Sequence, residues 1–241
     1  MTGTTKRITK RLEGAYSLYD RNESYALDSA IDILGEYKEK YSAGFNESVD
    51  LSVRLGVDLN KPDQIIKGFV ELPHGNGKKA KVLVFANDDN IDKAVNLGAV
   101  YAGGEDLIDM VARGEVTGFD KCVATAAMMP KLAKIARVLG PKGLMPSPKL
   151  GTVVTGDVSS VVSSLLKGRS DIKAEKDGCV KLGIGKISFD RNMLIDNFKE
   201  VIAVLKQLRP ASVKANYFSN VFISTTMGVG IKVKMSEVYS I

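Results

Sequence analysis

The chain has 241 residues, 44% hydrophobic and 26% charged, with a net charge of +6, enough for one large or two modest domains around a buried core. Its longest apolar run, "CVATAAMM" (Cys122 to Met129), is far too short to cross a bilayer, and the basic opening "MTGTTKRITKRLEG" has no apolar stretch behind it to act as a secretory signal. Two widely separated cysteines, Cys122 and Cys179, argue against a disulfide framework and for a reducing, cytoplasmic compartment.

The first 20 residues read as a short basic helix or arm. Ser24 is a candidate cap for a helix running to about Ala43, with Leu27, Ile31, Leu34, Tyr37 and Tyr41 at helical spacing. "ESVDLSVRLGVD" (Glu47 to Asp58) then alternates strictly, with Val49, Leu51, Val53, Leu55 and Val57 on one side, as in a strand covered on one face only. "IIKGFVEL" (Ile65 to Leu72) reads as its hairpin partner, after a turn at Lys61-Pro62-Asp63. Beyond "PHGNGKKA" the texture changes. "KVLVFA", "NIDKAVNLGA", "VYAGG", "EDLIDMVARG", "FDKCVAT" and "PKLAKIARVLG" alternate strand and helix, the signature of a parallel sheet with crossover helices. A Gly/Pro-punctuated loop, "GPKGLMPSPKLGTVVTG", and a further helix end this part near Lys167. Alternating strands then return, followed by a helix from about Arg191 to Leu208 with Leu194, Phe198, Val201, Ile202 and Leu205 on one face, and two closing strands.

The fold class expected is therefore α/β in two domains. An α+β terminal domain, built from residues 1–73 and 168–241, carries an inserted Rossmann-like three-layer α/β domain, residues 74–167, on a double connection.

Charge distribution and motifs decide among functions. Residues 121–156 and 201–236 contain no Asp or Glu yet carry lysines and arginines, which suits a polyphosphate partner. An enzyme binding a nucleotide in the inserted domain is the rival reading. It is disfavoured because "FANDDN" after the first strand of that domain has no glycine and two carboxylates, and "GNGKK" precedes a strand instead of following one. His74 is the lone histidine and lies in a Pro/Gly turn; no cluster has metal-ligand spacing, and both cysteines read as core residues. No cofactor, metal, membrane or small-molecule substrate is expected. "ISTTMG" (Ile223 to Gly228) has neither acid nor base, but at a strand end its hydroxyls suit ribose and phosphate, Met227 suits an unstacked base, and Gly228 permits close approach.

"FNESVDLSVRLGVD", "LPHGNGK", "VLGPKGLMPSPKLGTV", "GKISF" and "ISTTMG" occur in this order, and nearly the whole chain resembles the bacterial large-subunit ribosomal protein L-one family, proteins of the mobile stalk. The resemblance implies a non-enzymatic protein of the cytoplasmic large ribosomal subunit that binds stalk rRNA. It also implies help in moving and releasing deacylated tRNA from the exit site, and repression of its own operon mRNA. By position it implies an rRNA surface of Phe45, Ser48, Thr225, Thr226, Met227 and Gly228, with Lys176 and Gly178 of the "EKDG" turn and Lys186 nearby. Gly44, Ile172, Glu175 and Lys181 depart from the family pattern, which leaves the contacts of that turn open.

Overall fold

The computed structural model describes residues 9–58, 61–213 and 216–241, so residues 1–8 of the basic arm and Lys214 of the second acid-free tract lie outside the described residues. In chain order the elements are α1 (Lys10–Tyr16), α2 (Leu27–Tyr41), β1 (Ser48–Leu55), β2 (Lys67–Val70), β3 (Val82–Phe85), α3 (Asp88–Asn96), β4 (Tyr101–Gly103), α4 (Glu105–Arg113) and β5 (Lys121–Thr125). They continue with α5 (Met129–Leu132), α6 (Ala136–Leu139), β6 (Val153–Val154), α7 (Ser159–Leu166), β7 (Ser170–Lys173), β8 (Cys179–Lys186), α8 (Arg191–Gln207), β9 (Phe218–Thr225), β10 (Gly230–Lys232) and α9 (Met235–Ser240). The chain is α/β, with parallel and antiparallel sheets, as its sequence implies. It forms two compact units: a terminal one of Met1–Ile66, Leu72–Asn76 and Ile172–Ile241, and an inserted one of Lys67–Glu71 and Gly77–Asp171.

The terminal unit is a four-stranded antiparallel sheet in the order β10-β9-β1-β8. The strict alternation of β1 is realised: Val49, Leu51, Val53 and Leu55 are buried, while Ser48, Asp50, Ser52 and Arg54 face outward. The inward side chains pack with the apolar faces of α2 (Leu27, Ala30, Ile31, Leu34, Tyr37) and α8 (Leu194, Phe198, Val201, Ile202, Leu205). Each Val, Leu, Ile or Phe side chain among them contributes about 1.5–3 kcal/mol on burial. Both helical faces are the ones the periodicity marks. The other face of the sheet carries none of these helices.

Three local expectations are corrected. β2 does not form a hairpin with β1, because β8 and β9 occupy both edges of β1; β2 pairs with β7 in a separate two-stranded sheet. Helix α2 starts at Leu27, and the carboxylate of Glu237 on α9 accepts the Leu27 N–H (2.6 Å), so the cap comes from 210 residues away and not from Ser24. The closing strands are followed by α9, whose six residues are too short for periodicity to single out.

In the inserted unit a parallel sheet, β4-β3-β5-β6, is buried on both sides. Leu83, Phe85, Cys122, Met128 and Leu139 belong to one core layer; Val82, Val84, Val123, Val162 and Leu165 belong to the other. The carboxyl ends of β3 and β5, where the strand order reverses, border a crevice lined by Asn87, Asn90, Lys93, Thr125 and Asp157. Burial pushes the Cys122 thiol up to about 12, as suits a core residue. Cys179 is only half-buried and sits on the outward side of β8, so for it the core expectation is corrected. In the terminal unit, His74 faces Asp196 (3.2 Å), and the buried Asn197 amide donates to the carbonyls of Gly75 (2.9 Å) and Ile184 (2.7 Å). Among the described residues no group of three His, Cys, Asp or Glu is placed to hold a metal, and no helix is long and apolar enough to cross a membrane.

Candidate nucleic-acid interface

Antiparallel pairing brings three chain segments together at one end of the terminal sheet. Ser48 opens β1, Lys186 closes β8 opposite it, and Thr226 follows the last residue of β9. Thr226 extends the ladder by one step. Its N–H donates to the Ser48 carbonyl (3.0 Å), and the Ser48 N–H donates to Thr226 Oγ1 (3.1 Å), so the hydroxyl takes the place of a strand carbonyl. Lys186 Nζ donates to Ser48 Oγ at 2.9 Å. Phe45 and Met227 flank this polar group and are 53% and 50% exposed, too open for core residues of their size. The cluster therefore offers a cation, hydroxyls, a flat aromatic and a flexible apolar side chain on one surface.

Beneath it lies a residue that motif reading overlooked. The Glu47 side chain is fully buried; its carboxylate accepts the N–H groups of Ala43 (2.8 Å) and Met227 (2.9 Å) and the Tyr37 hydroxyl (3.2 Å). It ties the segment carrying Phe45 to the loop carrying Met227. Arg11 completes the tie by donating to the Met227 carbonyl (3.0 Å) and to the Tyr37 oxygen (3.3 Å). Burial alone would raise the Glu47 pKa, but the Ala43 and Met227 N–H groups, with the Tyr37 hydroxyl, outweigh it and hold the carboxyl below its ordinary value of 4.5. Tyr37 is shifted upward, first by burial and then by the adjacent Glu47 charge. A signal existed in the sequence: position 47 shares the parity of 49, 51, 53 and 55, and an acid on the inward side of a strand must find partners.

Other expected site residues stand elsewhere. Thr225 is 4% exposed and turned inward, so its side chain is not on the surface. Gly228 does not serve approach by an outside backbone: a Cβ there would overlap Thr225 Oγ1 and lie 3.0 Å from the Tyr37 ring, so the glycine fits the loop over its own support. Gly178 is buried with φ +71°, and a Cβ would meet the Leu55 carbonyl at 3.0 Å; it is a turn residue. Its turn is not near Lys186. Cys179 pairs with Arg54 at the far end of β1, six residues from Ser48, about 20 Å at ~3.3 Å per residue. Lys176 is exposed there. Of the four departures, Ile172 is buried, Gly44 is exposed, and Glu175 and Lys181 form an ion pair with each other (2.6 Å).

Residues 36–229 match the ribosomal protein L1p/L10e family. A protein of Persephonella marina named large ribosomal subunit protein uL1 is 43% identical over 233 residues, which cover 97% of this chain and 96% of that protein. Proteins of the same name from Thermosipho africanus and Chlamydia caviae are each 42% identical, over 93% and 95% of this chain and 95% and 96% of their own lengths.

Proposed function

We propose that this chain, which belongs to the ribosomal protein L1p/L10e family, is a non-enzymatic constituent of the cytoplasmic large ribosomal subunit whose terminal unit grips a stalk segment of large-subunit rRNA. The observation that carries this reading is the convergence of Phe45, Ser48, Lys186, Thr226 and Met227 over the buried Glu47 tie. Lys186 supplies a positive charge that can take the place of a counterion condensed on an RNA phosphate. Phe45 and Met227 supply surfaces for an unstacked base or a sugar, and the hydroxyls of Ser48 and Thr226 suit the ribose 2′-OH, which distinguishes RNA from DNA. Thr225, Gly228 and Gly178 act by shaping the two loops, and Lys176 contributes a phosphate contact at the far end of the sheet.

We infer two finer functions as well. On the stalk, the inserted unit assists movement and release of deacylated tRNA from the exit site. The rRNA-binding end also takes a look-alike in its own operon mRNA, so excess protein represses its synthesis. One surface cannot hold both RNAs, and they must compete.

Filter binding of the full chain to a transcript of the stalk rRNA tests the reading. Binding should tolerate an excess of unrelated transfer or duplex RNA and be displaced by the operon leader transcript. Equal affinity for unrelated RNA of the same length refutes rRNA recognition. Failure of the leader alone to compete removes the repressor role and leaves the ribosomal one standing.

A further inference from the structure

The outward face of the terminal sheet runs between the Thr226 end, with Lys186, and the far turn, with Lys176, and it carries one feature that no motif marks. Phe222, in the middle of β9, is 38% exposed and stands on this open face. Register puts it beside Ser52 on β1 and Lys232 on β10, and Ser52 in turn beside Lys181 on β8. One row across the sheet thus reads Lys181, Ser52, Phe222, Lys232, with Arg54 and Asn220 in the next row. At about 4.8 Å between strands, the aromatic lies ~5 Å from one lysine position and ~10 Å from the other.

We propose that this open face is a second part of the RNA interface, on which Phe222 stacks an unpaired base while Lys232, Lys181 and Arg54 take the flanking phosphates. The inference rests on the rRNA reading above and extends it beyond the Thr226 end. Phe222 precedes Thr226 by four residues on the same face, about 13 Å at ~3.3 Å per residue. A strand held at Thr226 reaches Phe222 within about four nucleotides at ~3.4 Å each. The chemistry favours RNA over a protein partner: lysines on either side of an exposed aromatic are depleted from protein–protein interface cores, whereas an aromatic within a basic track is what single-stranded nucleic acid uses. Asp50 also faces outward, in the row between Phe222 and Thr226, so the phosphates are expected to pass along the Lys232 and Lys181 flanks. The ion pair of Lys181 with Glu175 is exposed, and such pairs hold weakly enough for a phosphate to compete.

The test uses the absence of tryptophan from the chain. Phe222→Trp places a unique fluorophore on the open face of the full protein, and the stalk rRNA transcript is titrated against it. Stacking should quench its emission in step with binding, and Phe222→Leu should weaken binding about tenfold. Lys232→Ala should lower the slope of log affinity against log salt by about one contact. Unquenched Trp emission at saturation, with Phe222→Leu binding as wild type, overturns the inference and leaves the rRNA reading intact. Loss of all transcript binding by the wild-type chain overturns both. If Phe222→Leu fails to fold, the quenching of the Phe222→Trp protein decides alone.

Discussion

Glu47→Gln is the most exacting test of how the candidate interface is built. The substitution keeps side-chain volume but exchanges one acceptor oxygen for an NH2 group. The native carboxylate receives two backbone N–H groups, one on each oxygen, from Ala43 and Met227. An amide has one oxygen, so one of these donors is left facing another donor. A buried donor left unmade costs about 1–3 kcal/mol, and a hydrogen bond to a charged acceptor is worth ~1.5–3 against ~1 for a neutral one. The expected loss is about 2–4 kcal/mol, or a fall in Tm of roughly 5–10 °C for a chain of this size. Affinity for stalk rRNA should fall about tenfold or more, because the segments bearing Phe45 and Met227 are no longer held together. The pH dependence has a definite sign. The folded carboxyl lies below its ordinary value of 4.5, so the unfolded state binds the proton more readily as pH falls. The stabilisation by Glu47 is fully present above about pH 4.5 and is lost as pH falls through the lower, folded value. Melting curves by circular dichroism should therefore show a wild-type advantage over Glu47→Gln that is constant near neutrality and closes in acid. Equal Tm and equal RNA affinity at pH 7 would refute the role of Glu47 as the tie.

Thr226→Val removes both a proposed RNA contact and the acceptor of the Ser48 N–H, so Tm should fall by the equivalent of about 0.5–1.5 kcal/mol as RNA affinity drops tenfold or more. Unchanged affinity in filter binding would take Thr226 out of the site. Phe45→Leu should leave stability within about 0.5 kcal/mol, since the side chain is exposed, but weaken RNA binding by ~1–3 kcal/mol for the base it stacks; a large Tm loss with full affinity would show the opposite role. Gly228→Ala should displace the loop that contains Met227, because its Cβ overlaps Thr225 Oγ1, and a variant that melts and binds as wild type would show that the loop accommodates it freely.

What the sequence shows and hides has physical causes. β1 was legible because one face is buried and the other open, so Val49 to Leu55 alternate without error. The apolar stripes of α2 and α8 were legible for the analogous reason at helical period. Pairing was not. Nothing local to "IIKGFVEL" tells whether its partner is β1 or β7, since long-range strand choice depends on which edges are already occupied. The cap of α2 was hidden because Glu237 reaches it across nearly the whole chain. Within the candidate site, Phe45, Ser48, Lys186, Thr226 and Met227 meet at one end of the sheet, whereas Lys176 and Gly178 lie at the other, a separation set by the antiparallel direction of β8. The acid-free tracts misled in a particular way. Lys121 and Lys131 lie in one of them, yet each forms an ion pair with an acid from outside it, Asp171 and Glu105. A gap in the linear order of acids is not a gap on the folded surface.

The position of Glu47 also bears on how a carboxylate can sit under the surface proposed here to meet a polyanion. A bare charge about 8 Å from a phosphate, at an effective dielectric of ~20, repels it by about 2 kcal/mol, enough to cancel a good contact. Burial makes this worse, since no water screens the charge. Here the positive ends of the Ala43 and Met227 N–H dipoles point directly at the carboxylate, and the Arg11 guanidinium closes the far side of the Tyr37 oxygen and the Met227 carbonyl. The anion is thus stabilised locally by donors that are themselves part of the loops it organises. Lys186 is directed instead to Ser48 Oγ and the Asn46 carbonyl, neutral acceptors that leave its full positive charge available to a phosphate. The arrangement separates two tasks that one ion pair would have merged: the buried acid fixes loop geometry, and the cation at the surface remains uncompensated for the partner.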